Sequence, residues 1–257
     1  MAQMRVLENE ELKIQVSDDG AELCSIYDKA KDREALWTAD PKVWARHAPV
    51  LFPFVGKVNG GFYTYEGKKY PMGQHGFARD RRFECVETGE SHVTHRLVSD
   101  KESREVYPFD FVLEITHKIE GNCVTVEWKV ENPGEKRMYF SIGGHPGFCV
   151  TQQEGCTLVF DGQESLERVS INLDAAAVDA EHPETLKLEN GTYPVDAHTF
   201  DKDALIFDHG QVKKVGLVDS DGTKLVTLFC PDDQSVGIWA PAGGISPFIC
   251  LEPWIGR

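Results

Sequence analysis

From Phe111 to Gly134 apolar side chains fall on every second residue, and a period of two restricts such a stretch to strands. Phe111, Leu113 and Ile115 alternate with Val112, Glu114 and Thr116, and Glu120-Gly121-Asn122 turns the chain. Val124, Val126, Trp128 and Val130 then alternate with Thr125, Glu127, Lys129 and Glu131 until Asn132-Pro133-Gly134 ends the run. Two strands that each bury one face and meet at a Gly/Asn turn read as an antiparallel hairpin. The pattern recurs at residues 12–16 and 21–27 around Asp18-Asp19-Gly20, and at residues 215–218 and 223–229 around Ser220-Asp221-Gly222. "SVGIWA" and "PFICLEP" supply late strands. Helical patterning is confined to two short stretches, residues 41–47 and 183–187.

Repeated turn signals, with 23 glycines and 13 prolines, predict an all-β protein of packed antiparallel sheets. No linker, repeat or low-complexity segment divides the 257 residues, so one β domain over residues 1–257 is expected. Its most insertion-like part is the polar stretch 160–200. A formal net charge of −15 argues against nucleic-acid and anionic-membrane partners and favours a neutral small molecule. Seven scattered cysteines without a CxxC pair fit reduced thiols better than a disulfide framework or a zinc site. The N-terminus carries no signal-peptide pattern, and no run approaches the ~20 apolar residues of a membrane span. A cytoplasmic protein is expected.

Two ionisable residues stand out, each immediately before a proline. His145 lies in "YFSIGGHPGFCV", between Gly143-Gly144 and Pro146-Gly147. The glycines allow positive φ and close approach to the main chain, and Pro146 biases His145 toward an extended backbone. Glu252 is the lone charge in the apolar run "SPFICLEPWIG". Trp254, two residues on, shares its face of a strand, so a covered face would require partners for the carboxylate or a raised pKa. A third segment, residues 51–82, carries Lys57, Gln74-His75-Gly76-Phe77-Ala78-Arg79 and the charge run Arg79-Asp80-Arg81-Arg82. By itself that run reads as a solvated face with internal ion pairs.

Five segments, "LFPFVGKVNGG", "HGFARDRRFE", "IGGHPGF", "DALIF" and "CLEPWIG", occur in an order and at separations that resemble the aldose 1-epimerase (galactose mutarotase) family, more closely its LacX-like branch. The resemblance runs from the first strands to Arg257, where family members commonly continue. It implies a large antiparallel β-supersandwich that binds a sugar on a concave face, with no metal and no organic cofactor. By position it implies His145 as general acid, Glu252 as general base and His75 as a second histidine near the sugar ring oxygen. Asp203 is similar to the carboxylate that grips sugar hydroxyls. Arg79, Phe77 and Trp254 join the substrate-binding set, and Lys57 stands where the family commonly has arginine, keeping the charge but not the planar fork.

The chemistry such residues could perform follows from the substrate. A cyclic aldose is a hemiacetal, and exchanging its anomers needs a base at the anomeric hydroxyl and an acid at the ring oxygen. A carboxylate and an imidazolium on opposite sides of the ring suit these roles. Two other readings compete. Lys57, Arg79 and Arg81 could clamp the phosphate of a hexose 6-phosphate, as in the hexose-6-phosphate mutarotases this chain also resembles. Alternatively, Phe77, Phe148 and Trp254 could stack on a sugar in a β sandwich without catalysis.

Overall fold

The computed structural model describes residues 3–172, 177–230 and 234–257, and they group into two compact units. The first comprises residues 1–34 and 47–142, the second residues 35–46 and 143–257.

In the first unit β1 (Met4–Glu8), β2 (Leu12–Ser17), β3 (Leu23–Asp28) and β4 (Arg33–Glu34) form an antiparallel meander. After β5 (Val50–Leu51), β6 (Phe62–Tyr65) and β7 (Lys68–Pro71) make a separate hairpin. A second meander runs β8 (Glu84–Thr88), β9 (His92–Val98), β10 (Val112–Glu120) and β11 (Cys123–Glu131). The predicted hairpin is β10–β11, in register from Val112↔Glu131 to Glu120↔Cys123, with Gly121 at φ 53° in the turn. Leu113, Ile115, His117 and Ile119 are its buried face, whereas Val126 on β11 is exposed. Phe52, Tyr107, Phe109, Phe111, Leu113 and Ile115 form the heart of this unit's core.

The second unit begins at the end of β12 (Ile142–Gly144). Its elements are β13 (Gly147–Cys149), β14 (Thr157–Phe160), β15 (Ser165–Asn172), β16 (Ala177–Lys187), β17 (Thr192–Pro194), β18 (Leu205–Phe207), β19 (Lys214–Val218), β20 (Lys224–Phe229), β21 (Ser235–Trp239) and β22 (Phe248–Ile255). One sheet has the order β16-β15-β18-β21-β22-β12, with β13 also on β22; another has the order β17-β14-β19-β20. The β19–β20 hairpin is the one expected from residues 215–229. β22 is buried on both faces, which fits its nearly unbroken apolar sequence.

Three expectations fail locally. Residues 41–47 form turns, because Trp37 Nε1 donates to the Trp44 carbonyl at 2.7 Å and the Trp44 ring packs on Phe248. Residues 183–187 belong to β16, paired with β15 from Ser165↔Lys187 to Arg168↔Glu184. Much of the stretch 160–200 is therefore paired strand, β15 against β16, with a register shift between Arg168 and Ser170; residues 173–176 lie outside the described residues. Conversely, the helix α1 (Lys101–Val106) forms on a polar sequence through a capping box between Asp100 and Ser103. No described helix is long and apolar enough to cross a membrane. All seven cysteines are free thiols.

Candidate active site

The two residues singled out beside prolines meet in the second unit. β22 carries Cys250, Glu252 and Trp254 at alternate positions, hence on one face. Opposite them in the ladder stand Trp239, Gly237 and Ser235 of β21. His145 sits in the short connection between β12 and β13, and the Leu251 amide donates to the Pro146 carbonyl at 3.2 Å. That backbone bond brings imidazole and carboxyl together: His145 Nε2 lies 3.2 Å from Glu252 Oε1. Both are buried, Glu252 at 1% exposure and His145 at 9%. The pair touches directly instead of standing apart across a sugar-wide gap as expected.

The glycines around His145 make room rather than reverse the chain. Gly143 and Gly144 belong to the extended strand β12. A Cβ on Gly143 would come within 2.5 Å of the Trp254 ring, and one on Gly147 within 3.2 Å of both Trp44 and Phe248. Gly237 completes the fit from the other side, since its Cβ would lie 2.3 Å from the Trp254 indole. Trp254, 6% exposed, is thus clamped between two bare backbone segments.

His145 is framed by aromatic rings that sequence inspection missed. Trp44 lies at a centroid distance of 5.0 Å with 33° between planes, and Trp239 meets the imidazole edge-on at 5.6 Å and 76°. Trp37 and Phe248 back this wall. Neither Trp44 nor Trp239 lies in a motif, and only the fold brings them to His145. Both are half-buried, so both keep ring surface available to a ligand.

Burial pushes the Glu252 carboxyl well above its ordinary 4.5. The Trp254 indole opposes this by favouring the charged form, and the Asp203 carboxylate adds to it by like-charge repulsion. Trp254 Nε1 nevertheless makes no hydrogen bond of proper geometry, and neither does Glu252 Oε2, so burial dominates. Asp203 is exposed and sits just before β18 at φ 70°, its Oδ1 accepting from the Ala204 amide at 2.8 Å. Asx residues tolerate this left-handed conformation better than most.

Phe148 is buried in β13 of the second unit, and the remaining predicted residues lie in the first. His75, at φ 65°, is buried in a tight loop. Gly76 follows at φ 72°, where a Cβ would stand 2.2 Å from the Phe52 carbonyl oxygen. The His75 amide donates to the Gly56 carbonyl at 2.7 Å, and the Gly56 amide donates to His75 Nδ1 at 3.1 Å. Its Nε2 lies 3.3 Å from the Gln74 side-chain nitrogen, so an amide donor faces each ring nitrogen of His75. Burial, helped by the Arg79 charge, lowers its pKa from 6.5 to about 4. Arg79 Nη2 donates to the Gln74 carbonyl at 2.8 Å and so braces this loop. Phe77 packs on Phe52, Tyr107 and Phe111, and Lys57 is exposed. Arg81 pairs with Asp100 and with Glu102, so this member of the phosphate-clamp trio is already engaged by carboxylates. Two surface cavities, of about 400 and 710 Å³, hold none of the predicted site side chains.

Comparison with known proteins agrees with the sequence resemblance. Residues 3–256 match the family model described as aldose 1-epimerase. The plasmid and chromosomal LacX proteins of Lactococcus lactis subsp. lactis are each 31% identical over 269 residues, covering 97% of this chain and 87% of theirs. A galactose mutarotase related enzyme from Lactobacillus acidophilus has a similar structure, with TM-score 0.89 and 31% identity over 99% of this chain and 86% of that one. A galactose mutarotase-like protein from Lactobacillus casei gives 0.89 and 30%, over 98% and 87%.

Proposed function

The chain belongs to the aldose 1-epimerase family and has the galactose mutarotase-like fold, and from that premise we propose that it interconverts the α and β anomers of a free hexose such as glucose or galactose. The observation that carries this reading is the buried contact between His145 and Glu252. The anomeric hydroxyl and the ring oxygen are bonded to the same carbon. An acid and a base in contact with one another can therefore address both oxygens from one side of the sugar.

In ring opening, Glu252 takes the proton of the C1 hydroxyl while His145 gives one to the ring oxygen, and the C1–O5 bond breaks. Rotation about C1–C2 presents the other face of the aldehyde. His145 then recovers the proton from the O5 hydroxyl as O5 attacks C1, and Glu252 returns its proton to O1. Both groups end as they began. Desolvation makes Glu252 a stronger base than an exposed carboxylate, and each positioned proton-transfer group contributes typically ~10²–10⁴-fold. Sugars already mutarotate in water, so oriented proton transfer is sufficient.

Trp44 and Trp239 offer ring surface for the apolar face of a pyranose and hold the imidazole plane. Asp203 accepts from sugar hydroxyls. Trp254 borders Glu252 on the same face of β22. A free hexose fits better than a phosphorylated one because Arg81 is committed to Asp100 and Glu102.

Polarimetry of freshly dissolved α-glucose and α-galactose tests the assignment. Glu252→Gln should slow the enzyme-dependent decay by roughly 10²–10⁴-fold with sugar binding retained, and His145→Asn should remove most of the rate. Full activity in Glu252→Gln would show that the base lies elsewhere. Sugar binding by calorimetry without any acceleration by the unmodified protein would make it a carbohydrate-binding module.

A further inference from the structure

The reactive pair has a third neighbour that proton transfer does not use. The Cys250 thiol, the His145 imidazole and the Glu252 carboxyl bring one donor atom each within 4.8 Å of one another, and all three residues are buried. The linear sequence gives no hint of this, since 105 positions separate His145 from Cys250. It arises because Cys250 and Glu252 share one face of β22 and the Pro146–Leu251 backbone bond sets His145 against that face.

We infer that His145, Cys250 and Glu252 form a binding site for a thiophilic divalent cation, with Zn²⁺ the best match, and that its occupancy shuts off the acid–base pair. One sulfur, one imidazole nitrogen and one carboxylate oxygen are the donors zinc takes, and three protein ligands leave a fourth tetrahedral position open. The His145–Glu252 separation of 3.2 Å is already close to the spacing of two donors around one small cation. Bringing Sγ to the same spacing takes a contraction of about an ångström, given metal–ligand distances of about 2.0–2.3 Å. A second observation points the same way: Glu252 Oε2 is buried and makes no hydrogen bond among the described residues. Binding forms the metal–sulfur, metal–nitrogen and metal–oxygen bonds and releases to solvent both the thiol proton and the proton that His145 carries as the acid. The metal then occupies the lone pairs that His145 and Glu252 need for the sugar, so the site is inhibitory and has no part in turnover.

The other cluster of this composition, Glu22, Cys24 and His47, is a natural control. Its Glu22 Oε1 already accepts the amides of His47 and Ala48 at 2.7 and 3.0 Å, and its residues are only half-buried.

Cobalt titration of the metal-free full chain is the direct test. Co²⁺ should give a near-ultraviolet thiolate-to-metal charge-transfer band that Zn²⁺ removes. Cys24→Ser should keep the band, and Cys250→Ala and Cys250→Ser should lose it, weakening cobalt binding by more than the roughly 10–100-fold that changes outside a ligand shell cost. His145→Asn should weaken it likewise, which decides the matter if the Cys250 variants fail to fold. Zn²⁺ should also slow polarimetric mutarotation in the unmodified protein and in Cys24→Ser, but not in Cys250→Ala. No charge-transfer band, a band that survives in Cys250→Ala, or one lost in Cys24→Ser would overturn the site. The spectroscopic arm does not depend on the epimerase reading: loss of that reading alone would leave the cobalt band in place.

Discussion

A carboxyl at 1% exposure on a strand between Leu251 and Pro253 is an unfavourable place for a charge, and that cost sets its chemistry. Burial holds the Glu252 carboxyl well above 4.5, and in the proposed role of base it acts only when deprotonated. Activity must therefore fall as pH drops through this raised value. The acid limb of kcat/KM should lie clearly above the range of an exposed carboxylate. A limb at or below 4.5 would mean that Glu252 is not the titrating base. The aromatic wall makes a separate prediction. Trp44 holds the imidazole plane, so Trp44→Ala should lower kcat by about tenfold through misorientation, and Trp44→Phe should recover most of it. An unchanged kcat in Trp44→Ala would leave the ring with a binding role only. His145 and Glu252, which the structure brings into contact, stand out in the sequence because a proline follows each and because Glu252 interrupts an apolar run. The glycines beside His145 allow the close approach read from the sequence, to Trp254 and Trp44, without using positive φ, and no local signal reports which ring arrives from a distant segment.

At the scale of elements, the hairpins were legible because both causes are local: alternation sets the faces, and a Gly/Asn turn sets the partner. β2–β3, β10–β11 and β19–β20 all form around the turns named in the sequence. The misread elements are those decided by distant partners or by a cap. Residues 41–47 surrender helical bonding because Trp44 docks on Phe248, and α1 rests on two side chains at its start. β21 and β22 show how an element can be specified by what a neighbour lacks. Gly237 faces Glu252 in the ladder, and the Trp254 indole lies over it. Gly237→Ala places a methyl 2.3 Å from that ring, so Trp254 must move and carry β22 with it. The expected cost is about 1–3 kcal/mol in denaturant titration, with a shifted tryptophan emission and reduced activity. Wild-type stability with unchanged emission would show that the indole does not rest on this backbone.

For the molecule as a whole, a net charge of −15 and several buried neutral histidines predict opposite responses to acid. Protonating surface carboxylates relieves self-repulsion, which favours the folded state. Protonating a buried imidazole works against it. Burial lowers His75 from 6.5 to about 4 and His117 from 6.5 to about 3, with Arg79 assisting at His75 and His95 at His117. His117 is 2% exposed on the inner face of β10, so its charged form has little access to water. The unfolded chain binds these protons near pH 6.5 and the folded chain only near pH 3–4. Between those limits the unfolded state holds more protons, so stability is complete above about pH 6.5 and declines as pH falls. For His75 alone, the displacement from 6.5 to about 4 corresponds to roughly 3 kcal/mol. That exceeds what relief of screened surface repulsion offers at moderate salt, so the net response is destabilisation. The urea midpoint should decrease from pH 7 to pH 4, and His117→Leu should flatten that decrease whatever it does to stability at pH 7. A slope unchanged by His117→Leu would mean that His117 takes up its proton without unfolding. The acid sensitivity would then belong to His75, His95 or the carboxylates.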